Sequence, residues 1–249
     1  LTAYQTAFTF FILPHGLLAM TITTTFLPRI TRNATTGDMQ GFAHHMGQGL
    51  RLLILLMLPA SVGYIMIARP LLVTLLNHGQ FTLEAAHLTA DTLSFFAIGL
   101  LPFSLYLFLL RGFYAMSDTK TPFQINLVEN GLNIILALPF ALLFGAKGLA
   151  LAYSLAYSGA VVITLQALKT RTHQSEGLRW ADISGYVAHL SVSVAVMAVA
   201  VAMTLVGLSG QSALVQLVAA VLVGALTYAG GVLISRAVRW SDVKALISR

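Results

Sequence analysis

The feature that most constrains this chain is the run of residues 183–235, which contains no lysine, arginine, aspartate or glutamate. Soluble domains carry about 25% charged residues, whereas only 9% of this chain is charged and 57% is hydrophobic. A helix of about 20 apolar residues crosses the roughly 30 Å hydrocarbon core of a bilayer. The run is long enough for two such helices joined by a link at residues 207–211, and it predicts a helical membrane protein.

The rest of the chain is organised in the same way, as apolar blocks separated by short polar segments. We identify seven blocks, at residues 5–28, 49–68, 85–110, 122–144, 148–168, 183–206 and 212–235. A backbone inside hydrocarbon must satisfy its own hydrogen bonds, so each block is predicted as one spanning helix. The prediction is an all-α polytopic protein made of a five-span bundle at 1–169, a cytoplasmic linker at 170–182, a helix pair at 183–235 and a cytoplasmic tail at 236–249.

Two segments between the blocks are predicted to lie at the membrane surface. Residues 33–45 are polar and predict a cytoplasmic loop, or an amphipathic helix on the membrane surface. Residues 70–82 are too short to cross a membrane and predict a half-helix at the outer interface. Thr82 is a typical N-cap residue and is expected to start the third span.

Prolines interrupt the first three spans. A proline inside a helix removes one backbone hydrogen bond, so Pro14, Pro59 and Pro102 predict kinks or breaks. His15 follows the first of them and is a candidate for contact with substrate or protons in a cavity. The alternative is structural: the His15 ring donates to the carbonyl that Pro14 leaves free.

The distribution of charge predicts the orientation of the spans. The net charge of +6 would suit a nucleic-acid-binding protein, but the cations are divided unequally between alternate loops. One set of loops holds only Arg69 and Lys147. The other set holds the remaining twelve cations, which are Arg29, Arg32, Arg51, Arg111, Lys120, Lys169, Arg171, Arg179, Arg236, Arg239, Lys244 and Arg249. This positive-inside pattern places the C-terminus in the cytoplasm and predicts contact with anionic lipid headgroups rather than nucleic acid.

Other classes of function find no support in the sequence. The chain has no cysteine, so it holds no disulfide and no thiolate metal site. The HExxH, GxxxxGK[ST] and GxSxG signatures are absent, so we predict neither catalysis, nor a metal centre, nor a cofactor. The chain begins at Leu1 without a signal peptide and opens almost at once into a span. We therefore expect it to be the C-terminal part of a longer protein.

The fourth block contains the most informative polar residues. A carboxylate near the centre of a spanning helix costs at least about 2.5–3.5 kcal/mol, so Glu129 is expected to have a task or a partner. Asn126, Asn130 and Asn133 follow i, i+4, i+7 spacing and share one helix face, with Glu129 at its edge. This strip predicts a cavity lining in which Glu129 binds a cation, a proton or a substrate group. The alternative is a structural hydrogen-bond cluster in which Glu129 is protonated or paired.

Three other charged residues are candidates for binding or pairing. Arg51 and Arg111 lie at the predicted cytoplasmic ends of the second and third spans. Their guanidinium groups either snorkel to lipid headgroups or contact a phosphorylated substrate, which suits their forked geometry. Asp91 lies near the predicted outer face and is expected to pair with a nearby polar group rather than to bind a ligand.

Several motifs resemble one family of transporters. RGFYAMSDTKTP at residues 111–122, followed by VENGLNI at 128–134, resembles the MurJ/MviN family of lipid II flippases. LPHGLLAMTITTTFLPRI at 13–30, GLRLLILLMLPASVG at 49–63 and LNHGQFT at 76–82 resemble other segments of the same family. Together the matches cover about residues 8–169, whereas the last two spans match only in hydropathy and placement.

The resemblance implies the fold of the MOP exporter superfamily, in which two six-helix lobes enclose a central cavity. The chain would then hold spans eight to fourteen, with residues 183–235 forming a groove for a lipid tail and the first lobe missing. The implied activity is alternating-access movement of an undecaprenyl-pyrophosphate-linked peptidoglycan precursor from the inner to the outer leaflet of the bacterial cytoplasmic membrane. Coupling to a monovalent cation, to protons or to the membrane potential is expected, with the Glu129 helix involved.

One departure from the family and two rival functions remain open. Family members often carry an arginine where this chain has Thr9, so contact with the pyrophosphate would fall to the missing lobe or to Arg51 and Arg111. One rival function is a polysaccharide or O-antigen flippase of the same superfamily, against which the DTKTP loop argues. The other is a non-transporting membrane scaffold of cell-wall synthesis.

Overall fold

The computed structural model describes residues 2–77, 82–172 and 180–234, with the side chains of 180–184 excepted. Every regular element in these ranges is helical. Six helices are long and apolar enough to cross a membrane, and a bent pair of shorter helices makes a seventh span when counted as one. The predicted fold class, an all-α polytopic protein with about seven spans, is confirmed.

The helices are named here in chain order. They are α1 (Thr2–Pro14), α2 (Met20–Thr35), α3 (Met39–Leu76), α4 (Leu83–Ile98), α5 (Leu100–Ala115), α6 (Lys120–Phe144), α7 (Ala146–Arg171), α8 (Trp180–Gly207) and α9 (Ala213–Ile234). A π-helical turn, His15–Ala19, joins α1 to α2, so the first span is one continuous helix from Thr2 to Thr35.

The π-helical turn begins at the residue after Pro14, which is the predicted interruption of the first span. Proline has no backbone N–H, so the carbonyl of Phe10, four residues earlier, loses its helical partner. The Tyr64 hydroxyl of α3 donates to that carbonyl at 3.1 Å. A neighbouring helix thus satisfies the backbone group that the proline leaves free.

The second span is much longer than the predicted block at 49–68. Helix α3 has 38 residues, or about 57 Å at 1.5 Å per residue. Asp38 caps its start by accepting from the Gly41 N–H at 2.9 Å. Of the two alternatives predicted for residues 33–45, the loop is wrong and a helix is confirmed, because α2 continues to Thr35 and α3 already begins at Met39. The predicted place of that helix on the membrane surface remains a prediction.

Helix α3 also includes the first part of the predicted half-helix at residues 70–82. Helix α3 continues through Pro70 to Leu76 instead of ending before it. Ala68, Pro70 and Leu72 are buried, so this extension packs inside the bundle and is not a separate surface element. Residues 78–81 lie outside the described part of the chain.

The third span is broken close to Pro102, as predicted. Helices α4 and α5 meet at an angle of 45° around Gly99, since Pro102 cannot donate to the Ile98 carbonyl. A β-carbon at Gly99 would lie 2.6 Å from Oγ of Ser154, so glycine is what allows α7 to approach the bend. The predicted start at Thr82 is confirmed by its side chain, which accepts from the Ala85 N–H at 3.2 Å.

Two helical hairpins complete the bundle. Gly145 alone separates α6 from α7, with a φ of 61° that favours glycine. Helices α8 and α9 approach closely at Gly231, where a β-carbon would lie 3.0 Å from Cβ of Ser193. This C-terminal pair packs mainly on α3, with Val194, Met197, Val201 and Ala220 buried against apolar residues that include Leu58 and Val62.

The predicted domain boundaries remain predictions. Helix α7 extends to Arg171 and α8 begins at Trp180, so most of the proposed linker at 170–182 lies outside the described residues. The proposed tail at 236–249 lies outside them entirely.

Candidate functional site

Glu129 lies on the one face of α6 that packs against the bundle. The buried residues of α6 are Pro122, Ile125 and Glu129, which follow the i, i+3, i+7 spacing of a single helix face. The Glu129 residue is only 3% exposed. Most other side chains of α6 are exposed, so the helix turns its only carboxylate inwards.

Three tyrosines surround Glu129 inside the bundle. Tyr106 of α5 and both Tyr153 and Tyr157 of α7 are close enough to interact with it electrostatically. The Tyr157 ring centre lies 4.6 Å from that of Tyr153 and 5.4 Å from that of Tyr106. The Tyr106 hydroxyl is buried without a well-formed hydrogen bond, and Asn126 is a polar side chain beside it.

The Glu129 carboxyl has no hydrogen bond and no ion pair with any other residue that the structure describes. A carboxyl enclosed in this way needs a proton, a cation or a hydrogen-bond donor to offset the lost solvation. Glu129 is therefore the candidate for a proton or cation site, and that role remains a prediction.

The asparagines of the predicted strip are less buried than Glu129. Asn126 and Asn130 are exposed, and Asn133 is half-buried. The Asn130 side-chain amide donates to the Asn126 carbonyl at 2.8 Å and to its Oδ1 at 3.0 Å. The structure thus divides the predicted strip into a buried carboxyl and an exposed amide pair on the same helix. The roles predicted for the four residues remain predictions.

His15 is buried in the bundle, with its ring centre 4.8 Å from that of Phe103. It is 6% exposed, and its Nδ1 lies 3.0 Å from Oγ of Ser104. The Ser104 hydroxyl also donates to the Leu100 carbonyl at 2.8 Å. The carbonyl freed by Pro14 is bonded by Tyr64 instead. The predicted structural alternative, in which His15 donates to that carbonyl, is wrong.

Arg51 and Arg111 lie at the same end of the bundle. Gly49 of α3 packs against Phe108 of α5, and Gly112 packs against Met46, so the two arginines are within about one helical turn along the axis. Arg111 is exposed and has no partner among the described residues. The Nε of Arg51 is buried without a hydrogen bond to them. Within the described residues, neither guanidinium group is paired with an acceptor.

Asp91 joins three helices at the opposite end. It accepts from Arg69 of α3 at 3.1 Å and from Lys147 of α7 at 2.5 Å. The prediction that Asp91 pairs with a nearby polar group is confirmed. A cavity of about 500 Å³ adjoins the pair, and its lining includes Glu84 and His87.

The DTKTP loop has a local structural task. Asp118 accepts from the Thr121 backbone N–H at 3.0 Å and from the Thr121 hydroxyl at 2.7 Å, which starts α6. Arg171, in the last turn of α7, donates to the same carboxylate at 3.2 Å. These donors hold the pKa of the Asp118 carboxyl below its usual value. The loop therefore fixes the end of the hairpin that carries Glu129.

The tyrosines around Glu129 are not among the candidate residues that the sequence suggests. The link to Glu129 was missed because it joins three helices. One signal was present in the sequence: Tyr153 and Tyr157 are four residues apart and share a helix face.

Comparison with known proteins identifies the family. The family model of the lipid II flippase MurJ matches residues 1–223. The chain is 36% identical to the probable lipid II flippase MurJ of Vibrio cholerae over 142 residues, which are 57% of this chain and 27% of the relative. It is 32% identical to the lipid II flippase MurJ of Thermosipho africanus over 166 residues, which are 67% of this chain and 34% of the relative.

The fold agrees with this relationship. A solved lipid II flippase MurJ in an inward closed conformation superposes with a TM-score of 0.78 over 94% of this chain, at 24% identity. The matched region is 47% of that solved chain, and the chain spans about a quarter to a third of the curated relatives. With the family model matching from the first span into the last, the chain belongs to the lipid II flippase MurJ family.

Proposed function

We propose that this chain forms the second lobe and the C-terminal helix pair of a flippase for lipid II. Its cargo would be a peptidoglycan precursor linked to undecaprenyl pyrophosphate, moved from the inner to the outer leaflet of the bacterial cytoplasmic membrane. The observation that carries the proposal is the match of the MurJ family model to residues 1–223, which include six of the seven spans and part of the seventh. The activity is transport rather than catalysis and requires the N-terminal lobe.

The proposed orientation places the Asp91 end outside and the Arg51 end in the cytoplasm. The positive-inside pattern supports it, because twelve of the fourteen cations fall on the second side. The two exceptions are Arg69 and Lys147, and both pair with Asp91, whose single negative charge offsets one of the two positive charges. On this orientation the C-terminus is cytoplasmic.

The proposed contacts with the cargo fall on the cytoplasmic side. Arg51 and Arg111 present guanidinium groups without partners in the described part of the chain, and their forked donors suit a pyrophosphate. Thr9 has no charge to add, and its hydroxyl donates to the Gln5 carbonyl of its own helix at 3.0 Å. The missing lobe would supply the other cations, and the alternative for both arginines is binding to lipid headgroups.

The proposed coupling site is Glu129. Its enclosure by Tyr106, Tyr153 and Tyr157 supports a site that takes up a proton or a monovalent cation during the transport cycle. The amide pair of Asn126 and Asn130 would line the cavity on the exposed side of α6. Coupling to the membrane potential follows if the bound charge moves across part of the bilayer.

Reconstitution of the complete protein tests the coupling. Glu129→Gln keeps the shape and removes the titrating group, so we expect translocation of lipid II in vesicles to slow about tenfold and to lose its dependence on the ion gradient, a change of about 1.4 kcal/mol. Leu138→Ala is the control, because this side chain of α6 is 69% exposed. If Glu129→Gln translocates with unchanged rate and ion dependence, Glu129 does not couple.

Depletion of the complete protein tests the cargo. A lipid II flippase should leave its lipid-linked peptidoglycan precursor in the inner leaflet, and cells should lyse. An O-antigen flippase would leave the cell wall intact. A scaffold would mislocalise its partners while flipping stays normal, so the three proposals give different outcomes.

A further inference from the structure

Two tyrosine hydroxyls donate to backbone carbonyls that prolines leave free. A proline at position i removes the N–H that would bond the carbonyl at i−4. Pro14 frees the Phe10 carbonyl, to which Tyr64 donates at 3.1 Å. Pro59 frees the Leu55 carbonyl, to which Tyr228 donates at 2.6 Å.

The second of these bonds, from Tyr228 to Leu55, joins the C-terminal helix pair to the rest of the bundle. Tyr228 belongs to α9 of the C-terminal pair, whereas Leu55 and Pro59 belong to α3 of the bundle. The pair rests on this part of α3, since Leu190 and Val232 form an apolar cluster with Ile54 and its neighbours. The hydrogen bond therefore lies within the contact between the pair and the bundle.

Such a bond matters more here than a similar one at a water-exposed surface. Lipid is as apolar as the helix faces, so apolar contact alone gives little preference for docking over separation. A carbonyl without a donor inside hydrocarbon is costly, because no water is available to replace the missing bond. Separation of α9 from α3 would expose both the Leu55 carbonyl and the Tyr228 hydroxyl.

We infer that Tyr228 is a positioning residue that fastens the C-terminal pair to α3 by replacing the donor that Pro59 removes. Pro59 thus leaves the Leu55 carbonyl without a backbone donor, and the Tyr228 hydroxyl supplies a donor from α9. The position of the pair and the local geometry of α3 at residues 55–59 then change together. This inference does not depend on the substrate, so it can fail while the proposed flippase function holds.

A thermodynamic cycle in the complete protein tests the link between the two residues. Tyr228→Phe leaves the Leu55 carbonyl without a donor, so we expect the midpoint of thermal unfolding in detergent to fall by about 2–4 °C. In Pro59→Ala the new N–H bonds that carbonyl, so adding Tyr228→Phe should lower the midpoint by less than half as much. Equal losses in both backgrounds would overturn the inference.

Thr227→Val is the matched control for this cycle. Thr227 is the neighbour of Tyr228, but its hydroxyl donates only to carbonyls of its own helix, Val223 at 2.6 Å and Gly224 at 3.2 Å. Thr227→Val should lower the midpoint of thermal unfolding by the same amount whether residue 59 is proline or alanine. If Tyr228→Phe yields no folded protein, recovery by Pro59→Ala supports the inference, and failure to recover contradicts it.

Spin labels provide a readout of position rather than stability. Ile65 of α3 is 42% exposed and Leu226 of α9 is 73% exposed, so both accept a label, and this chain has no cysteine of its own to replace. Tyr228→Phe should broaden the distribution of distances between the two labels, while Thr227→Val should leave it unchanged. An unchanged distribution in Tyr228→Phe would show that the hydroxyl does not position the pair.

Discussion

Helices α3 and α6 have similar apolar sequences and very different places in the structure. Helix α3 contacts the first span, both halves of the third span and the C-terminal pair, and 13 of its residues are buried. Helix α6 contacts mainly α7, and three of its residues are buried. Helix α3 is held along its length, whereas α6 is held at the Asp118 loop, along α7 and at the Gly145 link.

The difference shows what hydropathy leaves undetermined in a membrane protein. Lipid chains and protein cores are equally apolar, so a lipid-facing leucine and a buried leucine give the same signal. Close packing instead depends on where small residues permit it. Glycine positions along the two helices therefore offer a direct way to test the contrast.

The largest loss of stability is expected from Gly49→Ala in α3. A β-carbon at Gly49 would overlap the buried ring of Phe108, and overpacking of this kind costs about 1–3 kcal/mol. The midpoint of thermal unfolding of the complete protein in detergent measures the loss. Gly63→Ala on the same helix meets no atom of the described residues within 4 Å and serves as the control. Equal midpoints for the two variants would mean that α3 is not held by close packing at residue 49.

A smaller effect is expected at the start of α6, from Asp118→Ala. This change removes the acceptor for the Thr121 N–H and hydroxyl, and loss of a helix cap costs about 0.5–2 kcal/mol. Arg171 is 60% exposed, so its pair with Asp118 adds little. Thermal unfolding at neutral pH checks this value. A loss larger than that of Gly49→Ala would reverse the contrast between the two helices.

The same residue predicts a dependence on pH. The hydrogen bonds from Thr121 lower the pKa of Asp118 in the folded state. Its contribution is therefore complete above the unfolded pKa of about 3.9 and is lost as the pH falls through the folded pKa. In unfolding experiments between pH 3 and 7, the stability of the wild type should approach that of Asp118→Asn at the acid end. A constant difference across that range would contradict this assignment.

The smallest effect is expected in the middle of α6, from Gly131→Ala. A β-carbon there meets no described atom within 4 Å, and alanine favours a helix over glycine by about 0.5–1 kcal/mol. We expect a slight rise in the unfolding midpoint. A fall would mean that a contact outside the described residues, such as one with the proposed N-terminal lobe, covers this part of α6.

The sequence was sufficient for features that depend on one segment at a time. The apolar blocks predicted the spans, Thr82 predicted a helix start, and Pro102 predicted the break between α4 and α5. The N-cap at Asp38 was not predicted from the sequence. It allows α3 to begin ten residues before the apolar block that predicted it.

Features that depend on neighbouring helices were not predictable in the same way. Helical spacing placed Glu129 at the edge of the asparagine face, but it gave no indication that this edge packs against α5 and α7. The prolines predicted free backbone carbonyls but did not indicate which side chains would donate to them. Tyr228 is 173 residues from Leu55, so no local pattern connects the two.

The ion pairs at Asp91 have a mechanical consequence. They hold α3, α4 and α7 together at Asp91, which would act as a fulcrum if these helices tilted. Arg51 lies on the same helix as Arg69, 18 residues away, which is about 27 Å at 1.5 Å per residue. A tilt of about 10° around the fulcrum would carry Arg51 through roughly 5 Å, about one helical turn. A small rotation around the ion pairs would therefore displace the far end of α3 by several ångströms.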